Sequence, residues 1–391
     1  MPHVNPEILR WARETANLSM EEAARALSIG GVRTSGEDLI RRYEDGTAEP
    51  SRPLLLKMAK AYRRPLLAFY LAEPPKRGER GEDFRSLPGE RLAESRGQLD
   101  ALVRDVYVRQ RLIKTTLEEA DEATRHRFVG CVRQAQGIEE VCGLIRSGIG
   151  FDLAEFRRHR RVEDAFGYLR GKIEQTGIFV LLIGNLGSHH SNVSPEVFRG
   201  FALADEIAPF IVINDQDAKP AWSFTVLHEL VHIWLGKTGV SGGEIEQGVE
   251  RFCNDVASRI LLPANELGEF PIRDGDTERL VLDIGEFSRT RKISGAMVAY
   301  RLYQAGAISK VKWQTVTQRF RELWLHEKVT ARRAGEGTSG PDYFVVRRHR
   351  MGNALLDVVR RNLSEGILTP TKAGKVLGVR PHNVTTLLGG A

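Results

Sequence analysis

Cysteine is scarce in this chain, and its few cysteines are not arranged as pairs. Only three occur among 391 residues, and they are Cys131, Cys142 and Cys253. An odd number of widely spaced cysteines without a Cys-x-x-Cys pair predicts reduced thiols rather than a disulfide framework. For Cys253 the expected role is that of a buried core residue.

Long apolar segments are also missing. The sequence contains no uninterrupted apolar run of about 18 residues, the length that a membrane-spanning helix needs. Its amino terminus lacks the charged and then apolar pattern of an export signal. We therefore expect a cytoplasmic protein that has no membrane partner. The 41% of apolar residues still suffices for two or three globular domains with cores.

Most of the chain has no excess of either charge. Residues 1–330 carry 47 basic and 47 acidic residues, whereas residues 331–391 carry 10 Lys and Arg against 4 Asp and Glu. In this basic tail, residues 347–359 are predicted to form a helix, and residues 371–384 have the helix, glycine turn, helix pattern of a helix-turn-helix. The sequence leaves open whether the tail contacts nucleic acid or packs on the rest of the protein.

The most informative motif is His228-Glu229-Leu230-Val231-His232. Two histidines four residues apart lie on one face of a helix, so their imidazoles can converge on a single metal ion. Glu229 follows the first histidine and can point at the water that the metal activates, which suits a general base in metal-assisted hydrolysis. The surrounding run 222–235 is apolar and compatible with a helix, and it follows the strand-like run 209–214.

A catalytic zinc site needs a third protein ligand, and Glu250 is the best candidate. On a helix it would head a stripe of small side chains that can pack closely against another helix. Glu244 and Glu246 compete for the role, and a lone glutamate on an amphipathic helix is more often a solvated charge. The pair His189 and His190 is a weaker rival, because adjacent side chains in an extended loop point apart.

These residues together resemble the ImmA/IrrE metallo-endopeptidases. In that family two histidines and a later glutamate bind zinc and the motif glutamate is the base, which implies these roles for His228, His232, Glu250 and Glu229. Many relatives have alanine where this chain has Cys253. The resemblance extends to the segments 198–203, 209–214, 250–263 and 294–302, and it covers roughly residues 150–310.

The amino-terminal segment predicts a compact bundle of short helices. They are expected over about 6–16, from Ser19 with a capping-box pattern, over about 35–43 and over about 53–62. The run 41–51 resembles the end of the recognition helix in Cro/repressor-type (XRE) domains, and the run 65–71 resembles their closing segment. This resemblance covers about residues 6–75 and implies a five-helix, DNA-binding helix-turn-helix bundle.

The candidate DNA contacts of this bundle are Arg33, Arg41 and Arg42, which could meet phosphates or guanine edges. Glu37 and Asp38 stand near the start of the recognition helix and would repel phosphate. Residues 1–75 carry 11 basic and 10 acidic residues, a balance that is low for a strong DNA binder. DNA binding is the favoured interpretation, and protein docking by the same bundle is the alternative.

The fold expected from these segments is α+β and mostly helical. Its parts are the helix-turn-helix domain over 1–75, a linker with bridging amphipathic helices over 76–149, a zincin-like peptidase domain with a small sheet over 150–330, and a basic helical domain over 331–391. No internal repeat is found apart from the two helix-turn-helix patterns. The sequence does not determine the oligomeric state, so a homodimer stays open.

The expected function is that of a DNA-binding transcriptional regulator with a zinc-dependent endopeptidase domain. By resemblance, its substrate is a repressor-type protein, and cleavage serves a stress or mobile-element response. The alternative is a regulator, such as an antitoxin-like repressor, whose metal or ligand site is sensory and cuts no peptide. Glu229 favours the enzyme, because a sensor needs the metal ligands but not the base.

Overall fold

The computed structural model describes residues 4–16, 18–31, 34–62, 64, 69, 91–186, 191–240, 247–271, 276–334 and 342–389. Among these residues helices dominate and one small sheet is present, so the fold is α+β, as the sequence predicts. The described residues divide into two compact units, the first within 1–81, 86–106 and 185–193, and the second within 107–184 and 194–391. None of the described helices is both long enough and apolar enough to cross a membrane.

The first unit contains the four short helices that the sequence predicts: α1 (Pro6–Thr15), α2 (Met20–Leu27), α3 (Gly36–Glu44) and α4 (Arg52–Ala61). Each follows a residue whose side chain accepts a hydrogen bond from a first-turn N–H group, and these caps are Asn5, Ser19, Ser35 and Ser51. Ser19 and Glu22 complete the predicted capping box. Of the predicted closing segment 65–71, only Phe69 lies among the described residues, and it is fully buried.

A buried ion pair holds α3 against α1. Nε of Arg13 lies 2.6 Å from one carboxylate oxygen of Glu44, and Nη2 donates to the other oxygen at 2.9 Å. Apolar side chains of the four helices form the core of the bundle, among them Ile8, Leu9, Leu27, Ile40, Leu55 and Met58. Arg41 and Arg42 remain exposed on α3. The buried ion pair and the apolar core therefore stabilise the bundle. Two of the predicted DNA contacts lie on its exposed surface.

Within the predicted bridging region, apolar residues at helical spacing over about 92–136 indicate long amphipathic helices, and α5 (Arg91–Glu119) confirms only the first part of this range. Beyond Glu119 the chain forms turns and extended segments as far as Arg133, before one 3-10 turn at Gln134–Gln136. Asp121 and Gly130 have positive φ values of 55° and 70°. A right-handed helix does not continue through such residues, so the prediction of helix after Glu119 is wrong.

The second unit is organised around a small sheet made of β1 (Phe179–Leu182), β2 (Gly200–Leu203), β3 (Phe210–Ile213) and β4 (Gly239–Val240). The strand order is β1-β3-β2-β4, with β3 parallel to β1 and antiparallel to β2. The first three strands are buried along their whole length, which explains their continuous apolar sequence. The strand-like run 209–214 that precedes the predicted helix over 222–235 is therefore present as β3.

Nine further helices of this unit precede the tail in the part of the chain that the structure describes: α6 (Ile138–Ile149), α7 (Leu153–Arg158), α8 (Val162–Glu174), α9 (Lys219–Trp234), α10 (Gln247–Leu261), α11 (Ala264–Leu267), α12 (Thr277–Arg291), α13 (Gly295–Gln304) and α14 (Lys310–Ala334). The central one is α9, which packs on β2, β3, α8 and α10. Every residue from Thr225 to Trp234 is buried. A helix that is covered on all sides offers a rigid base for a functional site.

The tail forms α15 (Tyr343–Met351), α16 (Asn353–Ser364), α17 (Pro370–Leu377) and α18 (Val384–Leu388). The single helix predicted over 347–359 is therefore wrong, because Gly352 divides it. This glycine has a φ of 79°, and a Cβ there would meet the side chains of Arg170 and Glu174. A residue with a side chain would be strained at this position.

An ion pair on α8 forms hydrogen bonds with the backbone of α15 and α16. Nε of Arg170 lies 3.1 Å from Glu174, and both side chains are only 7% exposed. Arg170 also donates to the carbonyl of His349 near the end of α15 at 2.6 Å, and Glu174 accepts from the N–H of Asn353 at the start of α16 at 3.1 Å. The cation thus meets the negative end of one helix and the anion meets the positive end of the next.

Several cations of the tail are engaged within the second unit. Arg350 pairs with Asp215 at 2.6 Å, and Arg361 pairs with Glu122 at 2.6 Å. The buried Arg347 donates to the carbonyl of Leu377 at the end of α17. These contacts neutralise or cap groups inside the unit, so part of the basic charge of the tail is used in packing.

Candidate metal centre

The helices α9 and α10 pack side by side and bring the three predicted ligands together. Nε2 of His228 lies 3.1 Å from Nε2 of His232, and the Glu250 carboxylate lies 3.2 Å from the first and 3.1 Å from the second. Two ligands of a tetrahedral zinc, each about 2.0–2.1 Å from the ion, are roughly 3.3 Å apart. The spacing and the donor types therefore fit a single zinc-sized ion. Among the described residues, this is the group found with ligand geometry of this kind.

The three ligands are buried to different degrees. The side chains of His228 and His232 are 5% and 7% exposed, whereas that of Glu250 is 26% exposed. Glu250 lies in the first turn of α10, where a carboxylate is stabilised by the positive end of the helix. The histidines are thus held inside the fold, and solvent reaches the site from the side of Glu250.

The close approach of these groups shifts their pKa values in opposite directions. Burial opposes the charged forms of both Glu250 and His232. Hydrogen bonds with the two imidazoles nevertheless lower the pKa of Glu250 to about 2, and hydrogen bonds with the Cys253 thiol and with Glu250 raise the pKa of His232 to about 11. A metal ion needs neutral imidazole, so protons compete with the metal for His232.

Cys253 adds a contact that the sequence does not predict. It is fully buried on α10, as expected of a core cysteine. Its thiol also forms a hydrogen bond with the imidazole of His232, although it is not part of the group of three ligands. A hydrogen bond to a ligating histidine helps to orient its ring.

Glu229 is fully buried and extends towards the start of β2. A Cβ placed on Gly200 of that strand would lie 2.8 Å from Oε1 of Glu229. The ring of Phe224, one turn before His228 on α9, lies 6.1 Å from the imidazole of His228 and is only partly buried. The sequence does not predict that Gly200 or Phe224 lies near the site. A glycine in an otherwise apolar strand was the available signal for the first.

The remaining predicted residues are placed as follows. Arg41 and Arg42 are exposed, and Nη1 of Arg41 lies 3.2 Å from Asp38 on the same helix. The other candidates lie outside the described residues, and they are Arg33, His189, His190, Glu244 and Glu246. Their predicted roles as DNA contact, rival histidine pair and competing ligands therefore stay predictions.

Comparison with known proteins gives one result. Residues 178–303 match the model of the Peptidase_M78 family, described as the IrrE N-terminal-like domain. No curated protein and no solved structure matches the chain. The matched segment runs from the start of β1 to the end of α13 and contains all three ligands and Glu229. It covers about a third of the chain, and this part of the protein is similar to a metallopeptidase-type domain.

Proposed function

We propose that this protein is a transcriptional regulator whose second unit is a zinc-dependent endopeptidase acting on a repressor-type protein. The observation that carries the proposal is the convergence of His228, His232 and Glu250 beside the buried Glu229. A purely structural or sensory site has no need for this additional carboxylate, whereas hydrolysis needs a base. The match of residues 178–303 to a peptidase family supports the same conclusion.

Each residue of the site has a separate task in this mechanism. The imidazoles of His228 and His232 and the Glu250 carboxylate would hold the ion, and zinc bound there would acidify water and polarise a carbonyl. The carboxylate of Glu229 accepts the proton of the attacking water and then gives it to the nitrogen of the leaving amine. Because every residue of α9 from Thr225 to Trp234 is buried, Glu229 is held at a fixed position relative to His228 and His232.

The test of this proposal is cleavage of a repressor-type protein from the same genome, found by co-expressing each candidate repressor with this protein. We expect the purified protein to cut it into two fragments, with activity lost in 1,10-phenanthroline and restored by zinc. Mass spectrometry of the fragments gives the cleaved bond. If zinc-loaded protein leaves the repressor intact but binds it or its operator in a metal-dependent way, the sensory regulator replaces the peptidase.

DNA recognition is proposed for the first unit, because α3 carries Arg41 and Arg42 on its exposed surface. Replacing both with alanine should weaken operator binding and reduce the slope of log K against log salt by about 1 for each phosphate that the variant no longer neutralises. Fluorescence anisotropy at several salt concentrations measures both effects. Lys57→Ala, at an exposed position on α4, is the matched control and should change neither. Equal binding by the Arg41→Ala/Arg42→Ala variant would favour a protein-docking role for this bundle.

A further inference from the structure

Gly200 occupies an unusual place for a glycine. It is the first residue of β2, it is buried, and it pairs with Ile213 of β3. The other residues of the strand, Phe201, Ala202 and Leu203, are all apolar and buried. Glycine weakens a strand, and within one it often marks a place where another group approaches closely.

The group that approaches Gly200 comes from α9. A Cβ at position 200 would lie 2.7 Å from Cγ2 of Thr225, 2.8 Å from Oε1 of Glu229 and 3.0 Å from Cγ of Glu229. Thr225 and Glu229 are one helical turn apart, so both face the strand. The volume that a side chain at position 200 would need is therefore already filled by these two residues.

Neither neighbour can easily move away. The hydroxyl of Thr225 donates to the carbonyl of Ala221 at 3.1 Å, which fixes its side chain. Glu229 is fully buried on a helix that is covered on all sides, so its carboxylate has little free space to enter. A methyl group at position 200 must therefore displace the Glu229 side chain, the Thr225 side chain or the strand itself.

We propose that Gly200 is a positioning residue for Glu229. Because glycine has no side chain, it leaves open the space in which the Glu229 carboxylate is held for proton transfer. This inference rests on the proposed function. It goes beyond it by assigning to β2 a part in placing the base. The competing explanation is that Gly200 only permits close packing between β2 and Thr225.

Three variants separate these explanations. Gly200→Ala introduces both contacts, Thr225→Ser removes the methyl group at 2.7 Å but keeps the hydroxyl, and the double variant leaves only the contact with Glu229. Gly167→Ala on α8, where a Cβ would meet nothing within 4 Å, is the control for a glycine-to-alanine change. Cleavage is measured on the repressor-type protein that the wild type cuts, together with zinc content and the midpoint of thermal unfolding.

We expect Gly200→Ala to keep one zinc per chain but to lower kcat at least tenfold, with little change in KM and an altered acid limb of the kcat against pH profile. Gly167→Ala and Thr225→Ser should behave like the wild type. The double variant should regain thermal stability without regaining kcat. Recovery of wild-type kcat in the double variant, or a Gly200→Ala kcat within twofold of wild type, would overturn the assignment in favour of packing alone.

A second measurement does not depend on cleavage. In a double-mutant cycle of Gly200→Ala with Glu229→Ala, the loss of thermal stability caused by the first change should shrink when the carboxylate is absent. If the two losses simply add, the two residues do not interact and the assignment is wrong. If the cycle shows coupling but the wild type cleaves no repressor, the proposed function fails while the contact between Gly200 and Glu229 stands.

Discussion

Glu229→Gln is expected to retain its zinc and to lose cleavage of the repressor by roughly 10²-fold or more. The substitution keeps the size of the side chain and most of its hydrogen bonding, but an amide cannot accept the proton of the attacking water. Because Glu229 is fully buried beside β2, a carboxylate from the surface cannot take its place without a change of fold. Single-turnover cleavage with excess enzyme measures the loss, and elemental analysis measures the zinc.

The control for this experiment is Glu155→Gln, at a partly exposed position on α7 that should leave both quantities unchanged. A Glu229→Gln protein that cleaves at the wild-type rate would show that another group acts as base. Equal promoter regulation by wild type and Glu229→Gln in cells, with no repressor fragment in either under stress, would favour the sensory regulator.

Removing both imidazoles should abolish metal binding. We expect about one zinc per chain in the wild type and none in His228→Ala/His232→Ala, because one carboxylate alone is a weak zinc site. Glu250→Gln should retain zinc more weakly. The affinity of the wild type should fall as pH falls, since the raised pKa of His232 means that protons compete with the metal. Competition with a fluorescent chelator at several pH values measures each of these.

The matched control is His326→Ala, at an exposed position on α14 away from the three ligands. It should keep one zinc and the same affinity as the wild type. Stoichiometric zinc in the His228→Ala/His232→Ala protein would place the metal elsewhere in the chain and would remove the basis for the proposed mechanism.

The two histidine ligands could be predicted from the sequence because their spacing within one short segment determines their geometry. The spacing of His228 and His232 determines their shared face on any helix, and the capping box at Ser19 marks the start of α2 in the same local way. A continuous apolar run likewise indicated β3. In each case the decisive contacts lie within a few residues of one another along the chain.

The features that sequence analysis missed depend on contacts between distant segments. The break at Gly352 follows from the presence of Arg170 and Glu174, nearly 180 residues earlier in the chain. The closeness of Gly200 to Glu229 depends on how α9 crosses β2, and the hydrogen bond between Cys253 and His232 depends on how α10 packs on α9. Periodicity carries no information about such pairs, because it describes one segment at a time.

The ion pair between Arg170 and Glu174 on α8 limits how far the second unit can be truncated from its carboxyl end. The segment that matches the family ends at residue 303, but Arg170 and Glu174 use backbone groups of His349 and Asn353 as hydrogen-bond partners. A fragment that stops before the tail would leave two buried charged groups without those partners, at a cost of about 1–3 kcal/mol for each. The limits of the recognisable domain are therefore narrower than those of a fragment that keeps these partners, which must extend past Asn353 at the start of α16.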